Sequence, residues 1–353
     1  MSCSGTADRT GGTDQVLEPR QDIANSCIHS AGSEGPRTRV LVQVALVLAP
    51  LWACVPEGGG LDPSRFDGQW VLESETGPMA MEVMYAGTPR MAGSIVGAVG
   101  GRTQPFLESS IVDGRLTFRV ARQFESGTTV GSETVAWFDR DRLVGETTRE
   151  DLDGRRAWIG RRPDAVPDVD NGSWVEQEPV VLFDGSALSE WSTGSDGEPE
   201  GWVVEDGILR NVGDADDLVS KRRFWNFHLQ VEYRVSERGN SGIGLRGRYE
   251  VQIYDDFGTE RSIHGNGAVY SRIKPIVLAS RAHGEWQTFD IRLVGRIVTV
   301  ALNGTTIIDR QVIEGITAMA RDADESTRGP ILLQGDHGPI EFRRIVIIPL
   351  ARS

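Results

Sequence analysis

Cysteine is nearly absent from this 353-residue chain. Cys3, Cys27 and Cys54 are its three, and all precede residue 64. That excludes a disulfide framework for the rest of the chain, and no CxxC or Cys/His spacing suggests a structural metal. Positive charge is scarce too. Lys and Arg number 37 against 51 Asp and Glu, a formal net charge of -14. Such a chain repels a phosphate backbone, which excludes nucleic acid as a partner. No apolar run reaches the roughly 20 residues that a membrane-spanning helix needs. Helical periodicity is missing from 64–162 and sparse beyond it. What is present is a globular composition, 39% hydrophobic and 25% charged. The length favours two domains.

Near the N-terminus Arg37 and Arg39 precede an apolar run from Val40 to Ala49, followed by Leu51-Trp52-Ala53-Cys54. A basic stretch, about ten apolar residues and a small residue before a cut make a secretory signal. Two readings stay open. One is an ordinary signal cut near Ala53. The other resembles a bacterial lipobox, in which Cys54 is lipidated and becomes the new N-terminus. Both predict export; the second adds membrane attachment through the lipid, in the periplasm or at the cell surface. Residues 1–36 are polar and rich in Gly and Ser, and read as a disordered leader or as the product of a start codon placed too far upstream. The expected organisation is therefore leader and signal over 1–54 and a tether over 55–63, with three consecutive glycines.

From 64 to 162 short β-type runs alternate with turn signals, among them Asp113-Gly114 and Asp153-Gly154. They predict a small antiparallel β-barrel or sandwich. It holds no His and no grouping of acids, so binding, positioning or a purely structural role is expected of it. Residues 163–179, with prolines and acids, read as a linker. From 180 to 353 a second β-rich set follows. Phe227 to Val235 alternates, with Leu229, Val231, Tyr233 and Val235 inward, and Asn303-Gly304 is a type I′ hairpin signal. The fold class is all-β: a jelly-roll sandwich preceded by a smaller antiparallel β domain.

The stretch from Gly239 to Asp256 carries most of the functional expectation. It reads as strand, tight turn, strand. Alternation sends Val251 and Ile253 to the core and Glu250, Gln252 and Tyr254 to the other face. Glycines at 239, 242, 244 and 247 leave room for close approach of backbone or ligand. The competing reading is a solvated outer face of an antiparallel sheet.

The ordered set Leu182-Phe183-Asp184-Gly185, Trp191, Val204 to Gly207, Gly239-Asn240-Ser241-Gly242, Tyr249 to Ile253, Gly267 to Tyr270, Gly284 to Gln287, Leu302-Asn303-Gly304 and Gly329-Pro330 to His337-Gly338 resembles the 3-keto-disaccharide hydrolase family. The likeness covers 180–350 and implies a concanavalin-like jelly roll. The first β domain resembles an accessory module often found ahead of that family's domain.

Ordinary glycosidases need two carboxylates about 5 to 9 Å apart, and the strand offers only Glu250 on its polar face. The resemblance implies a different reaction on 3-keto-glycosides. A base removes the acidified C2 proton, the C1 substituent is eliminated, and water adds. On that chemistry Glu250 is the candidate base and His337 the candidate acid or ligand. Arg246 is the candidate holder of the enolate oxygen or a hydroxyl. Gln252, Asn240, Tyr254, Asp255 and Gln334 are the candidate substrate contacts. His264, in a Gly-rich loop with Asp255 or Asp256, is the candidate for a divalent metal, against the simpler reading of a solvated loop histidine. The competing function is a carbohydrate-binding, lectin-like surface protein without catalysis.

Overall fold

The structure is a computed structural model. It describes residues 61–353 apart from 76, 98–102, 124–127, 164, 167–168, 194–198 and 213–214. Cys54 and the expected signal lie outside the described residues. Among the described residues regular structure is strand throughout, apart from one 3-10 turn at Pro63–Phe66.

Nine strands form the first sheet: β1 (Gly68–Ser74), β2 (Gly77–Met84), β3 (Ala92–Gly97), β4 (Gln104–Pro105), β5 (Glu108–Val112), β6 (Arg115–Gln123), β7 (Thr129–Asp139), β8 (Arg142–Arg149) and β9 (Arg155–Arg161). Their order is β4-β3-β2-β1-β9-β8-β7-β6-β5, with antiparallel pairing throughout. β4 and β5 lie at opposite ends of that order yet follow one another in the chain. Phe106 N–H donates to the Gly93 carbonyl of β3 and Leu107 N–H to the Arg119 carbonyl of β6, so the sheet closes into a barrel. Asp113 and Gly114 both sit at positive φ, 51° and 72°, as a type I′ hairpin requires. Trp70, Leu72, Met81, Leu116, Phe118 and Trp158 fill much of the interior.

The remaining strands build a sandwich. They are β10 (Trp174–Glu176), β11 (Val180–Phe183), β12 (Trp191–Thr193), β13 (Trp202–Glu205), β14 (Ile208–Asn211), β15 (Leu218–Ser220), β16 (Phe227–Val235), β17 (Asn240–Leu245), β18 (Tyr249–Tyr254), β19 (Gln287–Val294), β20 (Ile297–Leu302), β21 (Thr305–Val312), β22 (Leu332–Leu333) and β23 (Ile340–Arg352). One sheet runs β13-β14-β23-β16-β19-β20-β21, with β10 and β11 also pairing to β23. The other runs β12-β15-β22-β17-β18. Leu229, Val231 and Tyr233 of the first meet Ile243, Val251 and Ile253 of the second in one core. The burial of β16 alternates along its whole length, which is why its inward residues are readable from sequence.

The expected linker 163–179 is only partly a connector. Its β10 pairs with β23, and buried Asp170 bonds Arg292 and Arg310 of the sandwich. A carboxylate between two guanidinium groups is compensated, so the segment docks instead of hanging free.

Candidate active site

The polar face of β18 is not solvated. Glu250 and Gln252 are each 3% exposed, as buried as Val251 and Ile253 behind them. Three neighbours cover that end of the sheet. The 267–270 segment adds to the outer edge of β18 through Gln252 N–H to the Ala268 carbonyl and Tyr270 N–H to the Glu250 carbonyl. Thr317, in the segment after β21, accepts from Glu250 N–H at 2.8 Å. The turn after β22 brings up Asp336 and His337, described below.

Register assembles one polar row across four strands. Gly242 pairs with Gln252 and Gly244 with Glu250, so no side chain stands directly opposite either polar residue on that face. Gly244 in turn pairs with Leu332, and Gln334 N–H donates to the Gly242 carbonyl, which puts Gln334 on the far side of the trough. Asp217, just before β15, comes next and accepts from Gly335 N–H at 3.2 Å. A Cβ on Gly242 would lie 2.7 Å from Glu250 Oε1, so the carboxyl lies across that glycine.

Asn240 accepts from Gln252 Nε2 at 2.7 Å. That leaves Gln252 Oε1 buried without a partner among the described residues, and Gln334 Oε1 is buried in the same condition. Two orphaned carboxamide oxygens in one row are costly unless something donates to them.

Asn211 of β14 clamps the turn after β22. Its amide nitrogen donates to the Gly335 and Gly338 carbonyls at 2.8 Å each, and its oxygen accepts from Ile340 N–H. The turn thereby holds His337 and Asp336 at the rim, bonded to each other and partly exposed. That bond holds His337 above the ordinary imidazole value, aided by the charges of Glu250 and Asp217, and keeps Asp336 low. Burial pushes Glu250 up to about 8; the charges of Asp217 and Asp336 add to this and His337 opposes it. Asp217 is raised as well, chiefly by burial. Strand alternation alone offered a single acid. The fold delivers Asp217 and Asp336 from other segments, and alternation carries no signal for either.

The expected site residues divide. Glu250, Gln252, Asn240, Gln334 and His337 converge, and Tyr254 lies further along their strand, 40% exposed. Arg246 does not join them. It is fully buried, its Nη2 donates to the Gly295 carbonyl, and its guanidinium lies 4.3 Å from the Trp225 ring and 5.3 Å from that of Tyr249. Its positive φ of 52° in the β17–β18 hairpin turns the side chain away from the polar row. Asp255 faces the other way, as alternation requires, accepting from Arg238 N–H at 2.8 Å with His283 Nδ1 at 3.4 Å.

The metal candidates bond different partners. His264 Nε2 bonds Ser271 Oγ, while Asp256 accepts from Asn266 N–H and Ser280 Oγ. Among the described residues no group of three or more His, Cys, Asp or Glu is placed to hold a metal ion. His264 and Asp256 therefore serve local hydrogen bonding.

Comparison with known proteins agrees with this domain's motifs. Residues 178–348 match the family described as a 3-keto-alpha-glucoside-1,2-lyase-like domain. A 3-keto-disaccharide hydrolase of Bacteroides thetaiotaomicron is 36% identical over 74 residues, 18% of this chain and 26% of that protein. The match thus spans about a quarter of the curated relative's length. Two candidate glycosyl hydrolases of Parabacteroides distasonis have similar solved structures. The first is 29% identical, covers 53% of this chain and 93% of its own, and has a TM-score of 0.43. The second is 21% identical, covers 49% and 94%, and also scores 0.43. The Glu250 row thus lies within the segment, 178–348, that is similar to a 3-keto-alpha-glucoside-1,2-lyase-like domain.

Proposed function

We propose that this domain cleaves 3-keto-glycosides by elimination and hydration, with Glu250 as base. The observation that carries the reading is a carboxyl buried to 3% exposure and pushed up to about 8, beside two orphaned amide oxygens. A desolvated carboxylate of raised pKa is a stronger base than a solvated one, which suits abstraction of a carbon-bound proton. Glu250 takes the C2 proton, leaving an enolate over C2 and C3. The enolate re-forms the C3 carbonyl as the C1–O bond breaks with its electron pair on oxygen and a C1=C2 bond forms. His337, protonated through Asp336, gives that oxygen its proton. Water then adds across C1=C2, hydroxyl at C1 and proton at C2. Gln252 and Gln334 accept from sugar hydroxyls through their unpaired oxygens.

The test is sugar release from a 3-keto-disaccharide by purified protein, with the unoxidised disaccharide alongside. Release from the keto sugar alone is expected, and Glu250→Gln should slow it on the order of 10²- to 10⁴-fold. No release by folded protein, with the glycan still bound, would mean the lectin-like function. Equal release from both sugars would mean ordinary hydrolysis.

Export is part of the same reading, and it rests on the Arg37-to-Cys54 signal. Cys54→Ser should move the protein from the membrane to the soluble exported fraction. Unchanged membrane association would rule out lipidation at Cys54 as the anchor.

A further inference from the structure

The barrel holds an interior cavity of about 240 Å³ at one end. That is far more than one water occupies, about 30 Å³, and somewhat under the roughly 300 Å³ where small-molecule pockets usually begin. A barrel of this strand number has room inside for one small ligand. The register shows what lines it. Val120 pairs with Ser132, Ser132 with Arg149, Thr134 with Thr147 and Thr147 with Arg156, so these residues all face inward. Arg122, two residues beyond Val120 on the same strand, lines the cavity with them. Part of the wall is apolar: Met79, Ile95, Val120 and Trp158.

Charge sets this cavity apart from the rest of an acidic chain. Arg122, Arg149 and Arg156 line it, and no Asp or Glu does among the described residues. Arg149 is neutralised by Asp151, with bonds of 3.0 and 2.7 Å. The inner hydroxyls satisfy one another, Thr134 with Thr147 at 2.9 Å, and Thr147 accepts from Trp158 Nε1 at 3.2 Å. Arg156 is different. Its Nη1 is buried and has no hydrogen-bond partner among the described residues. A buried guanidinium nitrogen without an acceptor is costly, and one anionic oxygen at that point would relieve the cost.

We infer that the barrel is a binding module for an anionic amphiphile, a short aliphatic chain ending in a carboxylate. The carboxylate bonds Arg156, and the chain lies against Met79, Ile95, Val120 and Trp158.

Calorimetric titration of the full chain with sodium decanoate below its micelle concentration tests this, with decan-1-ol as the uncharged analogue. Decanoate should bind once per chain and decan-1-ol at least about tenfold more weakly, since a charged hydrogen bond is lost. Arg156→Gln should weaken decanoate by a similar factor while leaving the melting temperature unchanged or higher. Arg156→Lys should recover part of the affinity. Arg155→Gln, on the barrel's outer face and paired with Glu146 at 3.0 Å, should bind as wild type. No binding, equal binding of acid and alcohol, or equal weakening in the Arg155 and Arg156 variants would each overturn the proposal. Loss in Arg156→Gln accompanied by a lower melting temperature would also overturn it, as that marks a structural role.

Discussion

Glu250 has one more buried proton to account for than an ordinary strand glutamate. Its carboxyl ionises near 4.5 when solvated and near 8 in the folded chain. Between those values the unfolded chain has released the proton and the folded chain still holds it. Stability therefore falls as pH rises through that window and levels off above it. Glu250→Gln has no proton to lose there, so its melting temperature should gain on wild type steadily from about pH 4.5 to about 8. Parallel melting curves for the two proteins across that range would contradict the burial argument. Turnover should move the opposite way, rising towards pH 8 as the base form appears. A rate already flat by pH 6 would exclude Glu250 as the base. Gly242 offers an independent handle on the same carboxyl. A methyl there would stand 2.7 Å from Glu250 Oε1 and 3.0 Å from its Cγ, so the side chain must shift. Displacements of about 1 Å can cost on the order of 10²-fold in rate. Gly242→Ala should therefore lower kcat by roughly that much with an unchanged circular dichroism spectrum; retained kcat would place the carboxyl's working position elsewhere.

Elements matter here through what they hold in place. The turn from Gly335 to Pro339 contributes the His337–Asp336 pair, yet it has no regular structure of its own. It is held by Asn211, one side chain on a neighbouring strand that satisfies two carbonyls and one N–H. Asn211→Ala leaves those three buried groups unmatched, at about 1–3 kcal/mol for each left unsatisfied. The expected result is a lower melting temperature together with a larger loss of turnover than stability alone explains, because His337 leaves its place. Wild-type turnover in a folded Asn211→Ala protein would mean that the turn positions itself. The β17–β18 hairpin has a second anchor at its tip. Arg248, 1% exposed, bonds Asp322 at 2.6 Å and both oxygens of Thr327 at 2.9 Å. These ties join the hairpin to the same segment that supplies Thr317 to the Glu250 backbone.

On the scale of the whole molecule that segment joins barrel and sandwich. Ile316, Ala320 and Ala323 pack with Val71 and Val96 of the barrel. Arg272 of the sandwich donates to the Ile316 carbonyl, at 3.1 and 2.6 Å, and to Thr103 Oγ1 at 3.2 Å. Thr317 lies next to Ile316 in the chain and accepts from the Glu250 N–H, so the contact with the barrel and the wall of the site are one piece of backbone. Ile316→Ala removes a side chain 1% exposed, and large-to-small changes of that kind cost about 2–5 kcal/mol. We expect a melting temperature lower by several degrees and a reduced kcat, since Thr317 shifts with its neighbour. Reduced stability with full kcat would show that the site does not depend on the barrel contact.

Local chemistry by itself determined the strands, the hairpins and the faces. Phe227 to Val235 shows its inward set because one face meets the core and the other does not. Asp113-Gly114 and Asn303-Gly304 mark their turns because both residues must take positive φ. Glu250, Gln252 and Tyr254 were legible as a shared face, since period two puts alternate residues of one strand on one side. Tertiary structure decided the rest. That the polar face of β18 is buried depends on segments far along the chain, at 267–270 and 317. Asp217 and Asp336 reach Glu250 only through sheet order, and no spacing near Glu250 encodes them. Arg246 sits within the reading window of the site yet points into the core, because backbone handedness in a hairpin turn overrides proximity in sequence. Burial is the physical reason behind each of these differences. It arises from the whole set of long-range contacts, and it turned one strand glutamate into a carboxyl that titrates near 8.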